Sequence, residues 1–392
     1  MSVYLDNAAS TALVPQARAA VTDAWRLPGN PMSLHGAGRQ ARRLLEESRE
    51  TIARCVGARP SEVIFTSGGT EADNLAVKGI YRARRAADDR CRRIVISAVE
   101  HHAVLDPAQY LADREGAELV LLPVDAAGRA SVEALRRELS EHAGEVAVVS
   151  VMWANNEVGT VQPIAEIAAL GADYGVPVHS DAISAVGHLP VDFAASGLSA
   201  LSLAAHKFGG PTGAGALLLG RDVSVAPLLH GGGHERDVRS GTQDVAGAAG
   251  MAAALDHAVR SIDQHTAHLL GLRERLLRGL GELGGITVNS QPDGLPGIVH
   301  ATFDHCEGDA LLMLLDARGV ECSTGSACTA GVASASHVLL AMGLDRAAAR
   351  GSLRFSMGPD NTDADIEYLL SVLDEVLDRA RAAGMSSRAA VL

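Results

Sequence analysis

The chain has 392 residues, 47% of them hydrophobic, which suits one large domain plus a smaller one with a substantial core. A formal net charge of −13 argues against direct nucleic-acid binding or an anionic membrane surface, and no apolar run reaches the length of a membrane span. Met1 to Asp6 lack the basic and apolar regions of a signal peptide, and five cysteines with no C-x-x-C pair point away from disulfides or a zinc ribbon and towards a reducing cytoplasm.

In chain order, an amphipathic helix is expected over 39–56, with Ala41, Leu44, Leu45, Ile52 and Val56 on one face. Short apolar strands are expected at 63–66, 94–97, 119–122, 146–152 and 176–179, and a further helix over 163–174, stopping at Gly175. Strands separated by helices imply an α/β fold with a mainly parallel sheet covered on both faces. The last third reads differently. Helices over 244–261 and 267–283 precede a strand at 297–303, a helix at 308–318 and strands at 319–323 and 352–356. A final helix at about 363–383 has Thr362 as its N-cap. This block reads as a smaller α+β domain, with a tail from Ser386 that frays.

The chemistry concentrates at the strand ends. The run 176–179 closes on Ser180-Asp181, and His206-Lys207-Phe208-Gly209-Gly210 follows shortly after. A buried lysine beside loop glycines bonds an aldehyde, and a buried aspartate at a strand end holds a protonated ring nitrogen. Together they describe a pyridoxal-phosphate (PLP) site, in which Lys207 carries the cofactor and Asp181 makes its ring an electron sink. Singly, the first would be a surface turn and the second a cap.

Thr66-Ser67-Gly68-Gly69-Thr70-Glu71 follows a strand and opens a helix. Backbone N–H groups there favour an anion. Alone the segment reads equally as a tight turn; near Lys207, phosphate binding is favoured. Glu100-His101-His102 ends the next strand. Adjacent histidines seldom chelate one ion, and no H-x-x-x-H pattern or carboxylate partner is evident. Stacking of an imidazole on an aromatic cofactor fits better, with a loop-capping histidine as the plain alternative. Asn155-Asn156 closes the strand from Val146. Thr70, His101, Asn156 and Asp181 thus fall at four strand ends, where open α/β sheets bind ligands.

Glu321 to Gly331 is the second informative stretch. Cys322 ends a strand and reads as a packed core thiol. Cys328 lies among small residues that offer little burial. An exposed loop thiol oxidises readily, so Cys328 is a candidate nucleophile, against the plain reading of a tolerated surface cysteine. Arg354, inside the apolar strand 352–356, suits the carboxylate of an amino-acid substrate.

These segments resemble the cysteine desulfurases, fold-type I PLP enzymes of the class V aminotransferase group. The resemblance runs nearly end to end. It covers Tyr4 to Ala9, Gly29-Asn30-Pro31, Thr66 to Asn74, Glu100 to Leu105, Asn155 to Gly159 and His179 to Gly187. It continues through His206-Lys207, His230 to Arg236, Arg239 to Thr242, Ser326-Ala327-Cys328 and Arg354 to Ser356. The small-residue stretch after Cys328 is similar to the branch serving iron–sulfur assembly and tRNA thiolation, whose cysteine loop is long and mobile. The resemblance implies a large PLP-binding domain over 16–263 and a small domain from 1–15 and 264–392 that carries the cysteine. It implies a homodimer, L-cysteine as substrate, and a sulfur-acceptor protein of the iron–sulfur-scaffold or tRNA-thiolation type.

By the same resemblance Lys207 bonds the cofactor, Asp181 pairs with the ring nitrogen and His101 stacks on the ring. Asn156 contacts the ring oxygen and helps to place the substrate. Gly69, Thr70 and His206 hold the phosphate, with Thr242 reaching in from a second subunit. Arg354 binds the substrate carboxylate, and Cys328 takes the sulfur as a persulfide and releases alanine. Two positions depart from the family pattern. Ser184 stands where a glutamine usually reaches the ring oxygen, and Ala204 where a serine usually binds the phosphate. Each loses a polar contact worth on the order of 0.5–1.5 kcal/mol if no water substitutes. The departures also suit a paralogue dedicated to one pathway. A related PLP lyase or aminotransferase for another amino acid is the alternative enzyme, separated by Cys328, which those reactions do not need. A non-catalytic scaffold or sulfur acceptor is the non-enzyme alternative, and retention of Lys207 and Cys328 speaks against it.

Overall fold

The computed structural model describes residues 2–325 and 335–389, with side chains as far as residue 382. Its strands, in chain order, are β1 (Val3–Tyr4), β2 (Val63–Thr66), β3 (Arg93–Ser97), β4 (Glu118–Leu122), β5 (Val146–Ser150) and β6 (Val178–Asp181). They continue with β7 (Ala200–Ala204), β8 (Gly215–Leu219), β9 (Ile286–Val288), β10 (Ile298–Phe303), β11 (Val320–Glu321) and β12 (Ser352–Ser356).

The main sheet runs β2-β8-β7-β6-β5-β3-β4. Strands β3 to β7 pair in parallel, and β8 is antiparallel to both its neighbours. Every residue of β5, β7 and β8 is buried, which is why these strands read as unbroken apolar runs rather than alternating ones. One face packs residues such as Ile52, Ile167 and Leu255; the other packs Leu75, Ile80 and Leu111. This is the expected α/β sandwich. Because β2 is antiparallel to β8, its carboxyl end joins those of β3, β5, β6 and β7 along one edge of the sheet.

A second core gathers Val3 and Leu5 with Leu276, Val299, Phe303, Phe355 and Leu373 around the antiparallel sheet β12-β10-β9. The two-residue period of a strand divides this sheet. Val299, Ala301 and Phe303 enter the second core, while His300 and Thr302 join Ser352, Arg354 and Ser356 as buried polar residues.

Element boundaries shift at several ends. The expected strand 146–152 stops at Ser150, and the one expected at 176–179 runs Val178–Asp181. The helix expected at 39 begins at Gly36 because the His35 ring caps it, accepting from Gly38 N at 3.3 Å. The helix expected at 267 begins at Ile262, directly after the helix Val245–Arg260. The last helix spans Asp363–Ala389, past the expected end at 383. Thr362 precedes it, and its N–H donates to the Asp365 carboxylate at 2.8 Å. Among the described residues no helix is long and apolar enough to cross a membrane.

Candidate active site

Two residues, Ser67 and Gly68, separate β2 from the helix Gly69–Ala87. Its N-cap, Gly68, has φ 143° and no capping side chain. The first-turn N–H groups are therefore left for an anion at the sheet edge. A Cβ on Gly69 would collide with Ile183 Cδ1 and lie 3.3 Å from Ala204 Cβ, so a side chain there would make Ile183 move. Glu71, in the same turn, is occupied elsewhere: it accepts from Ser67 N at 2.7 Å and pairs with Arg239 at 2.8 Å.

Beside this helix end lies a cavity of about 220 Å³ lined by Gly69, Thr70, His101, Asn156, Asp181, Ser184, His206 and Lys207, together with Ala103, Ile183 and Ala204. The strand ends thus bring most of the expected residues to one space. Ala204 is buried at the end of β7, on the wall where a serine was expected to meet the phosphate.

Asp181 ends β6 and is buried. Burial pushes its carboxyl up to about 6, against the Ile183 N–H at 2.9 Å and the Lys207 charge, which lower it. It is still largely anionic at neutral pH. Lys207 follows β7 on a short 3-10 turn. Desolvation and the Arg354 charge bring its amine down to about 8, while Asp181 and Asp6 act to raise it. Its Nζ donates to the carbonyl oxygens of Ala8 at 2.6 Å and Ala9 at 3.2 Å. A lysine so poised loses its proton far more readily than an exposed one.

His101 is both a cap and a cavity wall. Its Nδ1 accepts from Ala103 N at 3.0 Å as N-cap of the helix His102–Glu115. That bond places the proton of the neutral ring on Nε2. Desolvation, then the Lys207 charge, push its pKa down to about 4, so the ring is uncharged at neutral pH. His102 does have a carboxylate partner, which sequence reading overlooked: Asp106, one turn along, is 2.9 Å from its Nδ1.

Behind Asp181 lies a buried polar layer that sequence reading also missed. His179, two residues earlier on β6, meets Ser150 at 2.8 Å and Ser202 at 2.9 Å, and its Nε2 is 3.6 Å from Asp73. Burial and the Asp181 charge hold Asp73 well above the usual carboxylate range. Glu100 accepts from Ser97 Oγ at 2.6 Å and Met152 N at 2.8 Å, yet burial pushes it up to about 8. Among these three buried carboxyls, Asp181 is the one on the cavity wall. The only sequence trace of the layer was polar residues inside otherwise apolar strands.

Arg354 on β12 is buried. Its Nη1 donates to the Asn156 carbonyl at 2.8 Å, its Nη2 pairs with Asp6 at 2.6 Å, and its Nε has no partner among the described residues. Sequence reading gives Asp6 no role in the site. Thr242 is exposed and does not line the cavity. Cys322 sits in the second core with its thiol pushed up to about 12 by burial, the packed thiol expected. Cys328 lies outside the described residues.

The donor set suits PLP: an uncapped helix end for a phosphate, a buried anionic carboxylate for a ring nitrogen, a neutral imidazole on the cavity wall and an amine of low basicity. The fold and this site define a member of a known class. The aminotransferase class-V family model matches residues 3–369, and the chain belongs to that family. It is 58% identical over 390 residues, 99% of each chain, to the IscS-like cysteine desulfurase of Mycobacterium tuberculosis (strain ATCC 25618 / H37Rv). It is 39% identical to the cysteine desulfurase IscS of Dictyoglomus turgidum (strain DSM 6724 / Z-1310), covering 97% of this chain and 95% of that one. A solved NifS-like protein superimposes with a TM-score of 0.89 at 35% identity, over 97% of this chain and all of the other.

Proposed function

We propose that the protein is a PLP-dependent L-cysteine desulfurase, which converts L-cysteine and an enzyme thiol to L-alanine and an enzyme persulfide. The observation that carries this reading is the meeting of Lys207, Asp181, His101 and Asn156 on one cavity, in a chain 58% identical to an IscS-like cysteine desulfurase. When bound, PLP supplies a sink for the electrons left on the substrate α-carbon.

The residues supply the rest. The first-turn N–H groups at Gly69 and Thr70, with His206, take the phosphate. Asp181 would hold a proton on the ring nitrogen, and Asn156 would contact the ring oxygen. His101, uncharged and held by its cap, would lie against the ring without adding charge. Lys207, with its pKa near 8, would hold the cofactor and, as a neutral amine, would take the substrate α-proton. The Ala8 carbonyl, 2.6 Å away, accepts a hydrogen bond from the resulting ammonium. Arg354 receives the substrate carboxylate. The Cys328 thiolate attacks the substrate sulfur; the S–S bond forms as the C–S bond breaks, and the carbon gains a proton in place of sulfur. Atoms and electrons balance without an outside oxidant. Residues 16–263 serve as the cofactor-binding part and 1–15 with 264–392 as the part bearing Cys328.

Thr242, exposed in the single chain, completes the phosphate site of a second subunit in this reading. The persulfide passes to an acceptor of the iron–sulfur-scaffold or tRNA-thiolation type in a reducing cytoplasm. The test is to incubate the PLP-loaded protein with L-cysteine and a reductant and to assay alanine and sulfide. Equal amounts of both, abolished in Lys207→Ala together with the visible cofactor band, are expected. Absence of alanine from the wild-type protein, or turnover by the variant at the wild-type rate, refutes the assignment.

A further inference from the structure

Glu157 follows Asn156 directly and is 4% exposed, yet it takes no part in lining the cofactor cavity. Its carboxylate turns instead to the chain on either side of residues 326–334. On the far side, Ser336 Oγ donates to Glu157 Oε2 at 2.6 Å and accepts from Leu339 N at 3.3 Å as N-cap of the helix His337–Ala341. Both capacities of the hydroxyl are thereby used. The helix is fixed again by His337 Nε2, 2.9 Å from the Glu100 carbonyl oxygen.

On the near side, Gly325 has φ +83°, and a Cβ built on it would lie 3.4 Å from Glu157 Oε2 and 3.6 Å from His300 Nε2. The glycine therefore lies next to both side chains. Its N–H donates to Ser323 Oγ at 3.0 Å. Ser323 exchanges backbone hydrogen bonds with Arg354, at 2.7 and 3.2 Å. His300 is the register partner of Arg354 across β10 and β12. Its Nδ1 contacts the Asn289 amide nitrogen at 2.9 Å. A ring nitrogen that accepts there leaves the proton on Nε2, which has no partner among the described residues.

We propose that Glu157 is a positioning residue for sulfur transfer: by accepting from Ser336 and lying beside Gly325, it sets the described residues on either side of 326–334 against Asn156 and Arg354. The inference rests on the desulfurase reading. Its physical basis is that attack on the substrate sulfur needs the reacting atoms at about 3–3.5 Å, and a misplacement of about 1 Å costs on the order of 100-fold. Glu157 touches neither substrate nor cofactor in this account; it acts through Ser336 and Gly325.

The experiment uses the PLP-loaded protein and its Glu157→Ala, Glu157→Gln, Ser336→Ala and doubly substituted Glu157→Ala/Ser336→Ala forms. L-cysteine binding is read from the change in the visible cofactor spectrum, and persulfide on Cys328 by mass spectrometry after rapid quenching. The expected result is persulfide formation slowed about 10- to 100-fold in Glu157→Ala and Ser336→Ala, with the half-saturating cysteine concentration unchanged. Glu157→Gln, which keeps an acceptor for Ser336, restores most of the rate, and the double variant is no slower than the slower single one. Wild-type rates in both single alanine variants overturn the proposal, as does a parallel loss of cysteine binding, which marks a general structural role. Should Glu157→Ala fail to fold, Ser336→Ala and Glu157→Gln decide alone. Absence of persulfide from the wild-type protein would instead refute the desulfurase reading.

Discussion

Asp6 and Arg354 meet at 2.6 Å across 348 positions of sequence. The arginine side chain is 5% exposed and the aspartate 25%, so the pair is largely withdrawn from water. The contact ties the N-terminal segment, which also holds the Lys207 amine through Ala8, to β12, which bears the arginine proposed to receive the substrate carboxylate. Asp6→Ala leaves Arg354 with the Asn156 carbonyl alone. The expected cost is about 1.5–3 kcal/mol, read by urea denaturation of the PLP-free protein. Unchanged stability would mean that the ion pair contributes nothing net.

Cys328→Ser separates the two halves of the reaction. L-cysteine should still change the visible spectrum, because Lys207 and the cofactor site are intact. Alanine and persulfide should fall below detection, since a hydroxyl is a far poorer nucleophile toward sulfur. Cys322→Ser should turn over normally, because the Cys322 thiol, pushed up to about 12, is not available as a thiolate. Alanine production by Cys328→Ser would remove that residue from the reaction.

Ser184 lines both the cofactor cavity and a smaller one of about 30 Å³ shared with Asn7, His188 and Lys207, space enough for a water. A glutamine side chain is longer than that of serine and carries an amide donor. Ser184→Gln is expected to bind PLP about two- to tenfold more tightly and to move the pH midpoint of the visible band. Superimposable spectral titrations with equal PLP dissociation would show that a water already makes the contact.

Glu100 makes folding stability depend on pH. Its carboxyl keeps a proton up to about pH 8 in the fold, against its usual 4.5. Between these values the folded protein binds more protons than the unfolded one, so this contribution is fully present below about pH 4.5 and is lost as the pH rises towards 8. Glu100→Gln removes it. The stability difference between wild type and variant should change by up to about 1.4 kcal/mol per pH unit across that window, measured by denaturation of the PLP-free proteins. Parallel pH profiles would place the proton elsewhere.

The PLP-loaded protein should be a two-fold dimer, with Thr242 of each chain closing the phosphate site of the other. Light scattering gives the mass directly. An active enzyme with the mass of one chain would exclude shared sites, and Thr242→Ala should weaken PLP binding without dissociating the dimer.

The sequence by itself determined the strands that read as unbroken apolar runs, the parallel α/β sheet they imply, and the residues placed at strand ends. Gly69, His101, Asn156 and Asp181 were legible because the local pattern that ends a strand also aims the next few residues at the sheet edge. Lys207 was legible from its glycine neighbours. Tertiary structure alone decided which distant groups meet: Asp6 with Arg354, Glu157 with Ser336, and Asp73 with His179 behind Asp181. No local periodicity encodes these partners, because each depends on how separately formed elements pack. The titration of the buried carboxyls was likewise decided only in the fold, where removal from water raises Asp73, Glu100 and Asp181 alike, while the Ile183 N–H and the Lys207 charge act to lower Asp181.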